Sequence, residues 1–271
     1  MRTRPSKWML VALLAGGLAT SGWAGVFAPY TSTTPGATDA HFTVGNQGIS
    51  ANGTESWLAN TDNISNTSWG NGTAGFAVLQ VGNLGGNPAT ANSFTESTDA
   101  KVTSYNDYAP YGSYSFGLGA LGNDSLAFDI FNGDTWYAGQ FSASGNSLEI
   151  DGEFGNNYST KLVSAPFAGT FTPNTSYHLT LAGNYDASGD LTLAFTVSDG
   201  VPADTTTVSD SIAAASVLQG SNFGYLDQAW VQASGSVQYN NYDLEVVPEP
   251  TTLALVGIGL VLGLVARRRR S

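Results

Sequence analysis

The strongest constraint on this chain is a two-residue rhythm. In YHLTLAGNYDASGDLTLAFTVSDG, Tyr177, Leu179 and Leu181 alternate with His178, Thr180 and Ala182. After a loop containing Ser188 and Gly189, the rhythm resumes at Leu191, Leu193, Phe195 and Val197. Successive side chains of a strand point to opposite faces, so each segment has one apolar and one polar side. Two such segments across a glycine loop predict an antiparallel hairpin. GFAVLQVG, SYSFGLGAL, SLAFDIF, TWYAGQF and SVQYNNYDLEVV predict further strands. DSIAAASVLQG is the only fair helix candidate, short enough to be a connecting turn. Many short strands broken by Gly, Asn, Ser and Asp predict an all-β fold, an antiparallel β-sandwich or jelly roll. No long linker and no fixed-period repeat divides residues 25–246, so one ectodomain is expected there.

Charge is placed very unevenly. The net charge is -12 and only 11% of residues are charged. Arg2, Arg4 and Lys7 open the chain, and Arg267, Arg268, Arg269 and Arg270 close it, leaving Lys101 and Lys161 in the middle. All the acids lie between Asp39 and Glu249. So acidic a body is repelled by nucleic acid, whose binding needs Lys and Arg to displace counterions. There is no cysteine, which removes disulfides, thiol nucleophiles and thiolate metal sites. A body of this length buries a core without them.

Both ends carry export features. MRTRPSK is a basic leader, WMLVALLAGGLA an apolar stretch, and Gly22 and Ala24 are small residues at the expected cleavage positions. Residues 1–24 therefore read as a signal peptide recognised by a secretion translocon, cut after Ala24. Residues 247–271 form a separate tail. Its uncharged run, Thr251 to Ala266, spans about 24 Å as a helix, against ~30 Å of bilayer hydrocarbon. Length leaves the matter open, and the flanks decide it. The four arginines stay on the cytoplasmic side, so the run is expected to be a transmembrane helix with the acidic body outside. Pro248 and Pro250 bracket Glu249 and force an extended handle just before that helix.

VPEP, a short glycine-containing apolar run and a terminal arginine block resemble the PEP-CTERM sorting signal, over about 24 residues from Val247 to Arg270. The resemblance implies a Gram-negative producer of extracellular polysaccharide and an exosortase-type processing enzyme in the inner membrane. It further implies removal of the tail near Pro248, Glu249 and Pro250, and delivery to the cell surface or matrix. The last third of the body looks like a concanavalin-like jelly roll.

The stretch SLEIDGEFGNN offers the one candidate for catalysis. Glu149, Asp151 and Glu153 stand two apart, so a continuous strand would put all three carboxyls on one face. Retaining glycosidases need two carboxyl groups about 5 Å apart. The stretch is similar to the E-x-D-x-E strand of family 16 glycoside hydrolases, also jelly rolls. That likeness would make Glu149 the nucleophile, Asp151 the assisting carboxylate and Glu153 the acid/base. Gly152 departs from it, because the family has an apolar or aromatic residue there. Asp-Gly is also a strong two-residue hairpin signal, and the hairpin is the expected form. It would pair Ile150 with Glu153, turn the chain at Asp151-Gly152 and separate the acids.

Other candidates are weaker. Ser125 in GNDSLAF lacks a nucleophile elbow, and His41 and His178 are too far apart for a histidine cluster. Asn132 to Asp134 and Asp186 to Asp190 offer oxygen ligands without EF-hand spacing and read as turns. No cofactor or metal site is assigned, and calcium, which such oxygens alone can hold, is left open without a location. Trp136 and Trp230 are expected in the core. Trp57 and Trp69 flank a polar loop where an exposed ring would suit an extracellular polysaccharide. Asn52, Asn66, Asn71 and Asn174 begin N-x-S/T triplets. The expected protein is an exported, non-catalytic surface or matrix protein, structural or glycan-binding, with a family 16-like hydrolase as the alternative.

Overall fold

The computed structural model describes residues 30–32, 42–48, 54–58, 63–67, 73–80, 91–106, 113–121, 136–153, 160–186, 188–213, 222–230 and 233–248. Their strands form two antiparallel sheets. In the eight-stranded sheet the order is β13 (Thr206–Ile212), β12 (Leu191–Ser198), β11 (Ser176–Tyr185), β6 (Ala91–Asn106), β15 (Ser234–Pro248), β4 (Asn63–Thr67) and β3 (Thr54–Leu58). β1 (Tyr30–Ser32) pairs with β15 off that path. The seven-stranded sheet runs β10 (Thr160–Pro166), β9 (Ser147–Glu153), β8 (Trp136–Ser142), β7 (Ser113–Leu121), β14 (Asn222–Trp230), β5 (Thr73–Gln80) and β2 (Phe42–Gly48). This is the expected all-β sandwich, and the β11–β12 hairpin forms with Leu181 opposite Phe195.

The two-residue rhythm builds the core. Leu179, Leu181, Leu193, Phe195 and Val197 from one sheet meet Phe116, Leu118, Phe141, Leu148 and Ile150 from the other, all fully buried. Each such side chain contributes about 1.5–3 kcal/mol by leaving water. Phe141 is the centre of an aromatic group, 5.5 Å from Phe116, 5.0 Å from Phe167, 5.6 Å from Phe171 and 5.2 Å from Tyr177. A second group holds Tyr225 stacked on Tyr239 at 4.5 Å and edge-on to Tyr242 at 5.0 Å. Tyr239 and Tyr242, three apart, both face inward because β15 bulges between Asn240 and Asp243, with Asn241 at φ 55. The extra residue resets the side-chain alternation.

Two expectations change. The chain does not reverse at Asp151-Gly152: β9 continues through both, with Asp151 opposite Ala138 and Gly152 opposite Tyr137. The reversal comes earlier, through Ala143 to Asn146, where Asn146 takes φ 47 and the Ser142 hydroxyl accepts from the Gly145 N–H. Gly152 stays in the strand because the Tyr137 ring and Leu162 lie over its Cα, where a Cβ would meet them at 3.2 and 3.3 Å. The helix candidate is corrected too: Asp210 to Ile212 complete β13, and residues 214–220 lie outside the described residues. Also outside them lie the signal segment, the apolar run with Arg267 to Arg270, His41, Trp69, Ser125 and Asn132 to Asp134. Among the described residues no helix is long and apolar enough to cross a membrane.

Candidate functional site

β9 positions the acidic residues. Leu148 and Ile150 face the core, so Glu149 and Asp151 share the opposite face of the seven-stranded sheet. Glu153 falls on that face by register; its side chain lies outside the described residues. Gln140 stands opposite Glu149 on β8, and Lys161 opposite Asp151 on β10. A polar file crosses the sheet through these positions. The Ser115 hydroxyl donates to Gln140 Oε1 at 2.6 Å, and Gln140 Nε2 donates to Asp151 Oδ2 at 2.9 Å. Glu149 Oε1 accepts from Lys161 Nζ at 2.6 Å and from the Ser147 hydroxyl at 3.2 Å.

Ser115, Gln140 and Asp151 are buried although they face away from the core. Burial, and then the Glu149 carboxylate, push the Asp151 carboxyl up to about 7, while Lys161 acts in the opposite sense. Near neutral pH the file can therefore take up or release a proton at Asp151. The pair a retaining glycosidase would use is Glu149 and Glu153, with Asp151 between them on the same strand face by register. Glu149, the residue a nucleophile's role would fall to, is tied to an ammonium. Asp151 is held by a buried amide.

Two other polar clusters occupy different surfaces. On the outer face of the eight-stranded sheet, His178 Nδ1 lies 2.9 Å from Asp99 Oδ1, and Asn241 Nδ2 donates to Asp99 Oδ2 at 2.8 Å. This places His178 in a surface pair far from Glu149. In the core, Glu96 accepts from the Tyr242 hydroxyl at 2.9 Å and from the Gly224 N–H, while its Oε1 has no partner among the described residues. Burial pushes the Glu96 carboxyl well above the usual range, against the pull of those two donors. Asp186 is a turn residue: its Oδ1 accepts from the Ser188 and Asp190 N–H groups. Among the described residues no three of His, Cys, Asp and Glu are grouped to hold a metal ion. Asn174 sits exposed at φ 67 in a turn.

Sequence reasoning found Glu149 and Asp151 but missed Gln140, Ser115, Lys161 and the Glu96–Tyr242 pair. Lys161 carried a usable signal, as one of two basic residues in an acidic body. The others are assembled by strand register alone.

The functional element that stands out is the end of β15. The strand closes at Pro248, the first residue of Pro248-Glu249-Pro250. Residues 246–270 match the PEP-CTERM protein-sorting motif. The tail is a PEP-CTERM motif. This motif implies export, membrane anchoring before processing, and processing by an exosortase. No curated protein matches the chain in sequence. In structure the chain is similar to the basic winged bean lectin, solved with Tn-antigen, at 13% identity and a TM-score of 0.50, covering 80% of this chain and 98% of the lectin. It is also similar to a protein of unknown function from Shewanella oneidensis MR-1, at 10% identity and a TM-score of 0.50, covering 93% of this chain and 98% of that one. Both likenesses are of fold: a lectin-like jelly roll precedes the PEP-CTERM motif.

Proposed function

We propose that this protein is a non-catalytic surface or matrix protein of a Gram-negative cell, carrying a glycan-binding jelly roll. Residues 1–24 take it to the translocon, and residues 25–246 fold outside. The 247–271 tail holds it in the inner membrane, with Arg267 to Arg270 on the cytoplasmic side, until an exosortase cuts near Pro248-Glu249-Pro250. The single observation that carries this reading is the PEP-CTERM match directly after a folded β-sandwich. Glycan binding is supported by the shared fold with a lectin solved with a sugar antigen. The absence of catalysis is supported by the Lys161–Glu149 ion pair, which occupies the acid the nucleophile's role would fall to, and by the buried Gln140–Asp151 bond at the assisting position.

The test follows the tail and then the body. Deleting Pro248 to Ser271 should abolish membrane retention and processing, read by fractionation and by the mass of the tagged protein. Unchanged fractionation and mass would overturn the sorting role. The mature body should bind extracellular polysaccharide or a glycan on an array without releasing reducing sugar. Turnover of a β-glucan that is lost in Glu149→Gln would replace binding by family 16-like hydrolysis.

A further inference from the structure

The PEP-CTERM motif overlaps the fold. Val246, Val247 and Pro248 belong both to the motif and to β15, where they pair with Phe94, Ser93 and Ala91 of β6. Only Glu249 and Pro250 separate the strand from the uncharged run that begins at Thr251. Two residues reach about 7 Å. The sandwich therefore stands directly on the motif, with no free linker between them.

Among the described residues the ladder changes along this end. Tyr242, Asp243 and Leu244 are flanked by β6 or its bulge on one side and paired with β1 on the other. From Val246 onward the described residues show pairing with β6 alone. The register shifts between Val247 and Pro248, and a proline brings no N–H to the last rung. Three rungs, the last on a proline without an N–H, thus lie beyond a stretch braced on both sides by β6 and β1. Strand ends of this kind open locally without global unfolding. An enzyme that cuts a chain must take the residues around the scissile bond into its own cleft, and residues held in a sheet ladder are not free to enter.

We propose that β15 gates the sorting site: the segment Val246 to Pro248 must peel from β6 before the processing enzyme can cut, and Leu244 limits how far it peels. This rests on the sorting function proposed above and adds a conformational step to it. When the strand is zipped the tail stays, and the body remains membrane-held. When it frays the tail is removed. A minor, frayed state is typically populated at about 0.1–10%.

The test uses the full chain in its producing cell, with processing followed by pulse-chase. One variant inserts a flexible Gly-Ser linker and a second Val-Val between Val247 and Pro248, so that strand and motif each keep their own valines. Processing should accelerate by at least about ten-fold, the gain expected when a minor state becomes the major one. The opposite variant combines Ser93→Cys with Val247→Cys, directly opposed positions in a chain without other cysteines. Its disulfide should block processing relative to the Val247→Cys single variant, which sets the baseline for a change inside the motif, while Ser93→Cys alone is processed at the wild-type rate. Wild-type processing with no response to linker or staple overturns the gate and leaves the sorting function standing. A wild-type chain that is never processed overturns both.

Discussion

Asp151 shows how one residue can set the pH response of the fold. Its carboxyl titrates near 3.8 when unfolded and near 7 when folded, chiefly because burial disfavours the charged form. Between those values the folded chain binds the proton that the unfolded chain has lost, so stability falls as pH rises through this window. The full difference is on the order of 4 kcal/mol, present below pH 3.8 and gone above 7. Glu96 acts in the same direction, starting from its ordinary value of 4.5. Asp151→Asn keeps an oxygen for the Gln140 amide but carries no charge. Its denaturation midpoint should be higher than wild type at pH 8, with a shallower fall between pH 4 and 8, the remaining slope belonging to Glu96. Urea titrations at four pH values measure this. Parallel curves for the two proteins would show that Asp151 is solvated in the folded state.

At the scale of the strand, the glycines explain both what was legible and what was not. The β11–β12 hairpin was readable because its inward positions are all apolar and its outward ones all small or polar. β6, a longer strand, gave no such signal. Its inward face reads Phe94, Glu96, Thr98, Ala100, Val102, and the polar members are stable there only because Tyr242, Gly224 and the Asn240 carbonyl meet them. Asp151-Gly152 was misread for a related reason. Turn preference is local, whereas the Tyr137 ring that covers Gly152 comes from the neighbouring strand. The acids of the candidate site were visible in sequence, but their partners on β7, β8 and β10 were not, since register is a property of the sheet. Gly139 and Gly152 make this testable. A Cβ at Gly139 would fall 2.2 Å from the Phe195 ring, while one at Gly152 would meet Tyr137 at 3.2 Å. Gly139→Ala should therefore cost about 1–3 kcal/mol as an overpacked core, and Gly152→Ala clearly less. Equal losses in chemical denaturation would refute the close sheet-to-sheet approach at Gly139.

For the molecule as a whole, the decisive feature is that the last described strand lies inside a sheet. β15 runs between β6 and β4 and also carries β1, so among the described residues the eight-stranded sheet is in three unconnected parts until residues 234–248 arrive. It supplies Val237, Tyr239, Tyr242 and Leu244 to the core, and the Tyr239 hydroxyl accepts from the Gly117 N–H across the sandwich. The pairing is long-range, and ladders that close distant segments form late because loop closure must precede their contacts. A chain threading outward N-terminus first would complete its sandwich only when the segment beside the PEP-CTERM motif emerges. Folding and arrival at the processing site are thus joined in one strand. A body of residues 25–247 should melt in a single cooperative transition, having lost only the weak last rung at Pro248. A body of residues 25–233 should show no cooperative melt, because Glu96 loses Tyr242, Tyr225 loses the Tyr239 and Tyr242 rings, and β4 and β6 lose their shared neighbour. Circular dichroism melts of the two bodies decide it: a cooperative transition in the shorter one would mean that the sandwich closes without β15, and that the tail's folded base is an addition to the fold rather than its keystone.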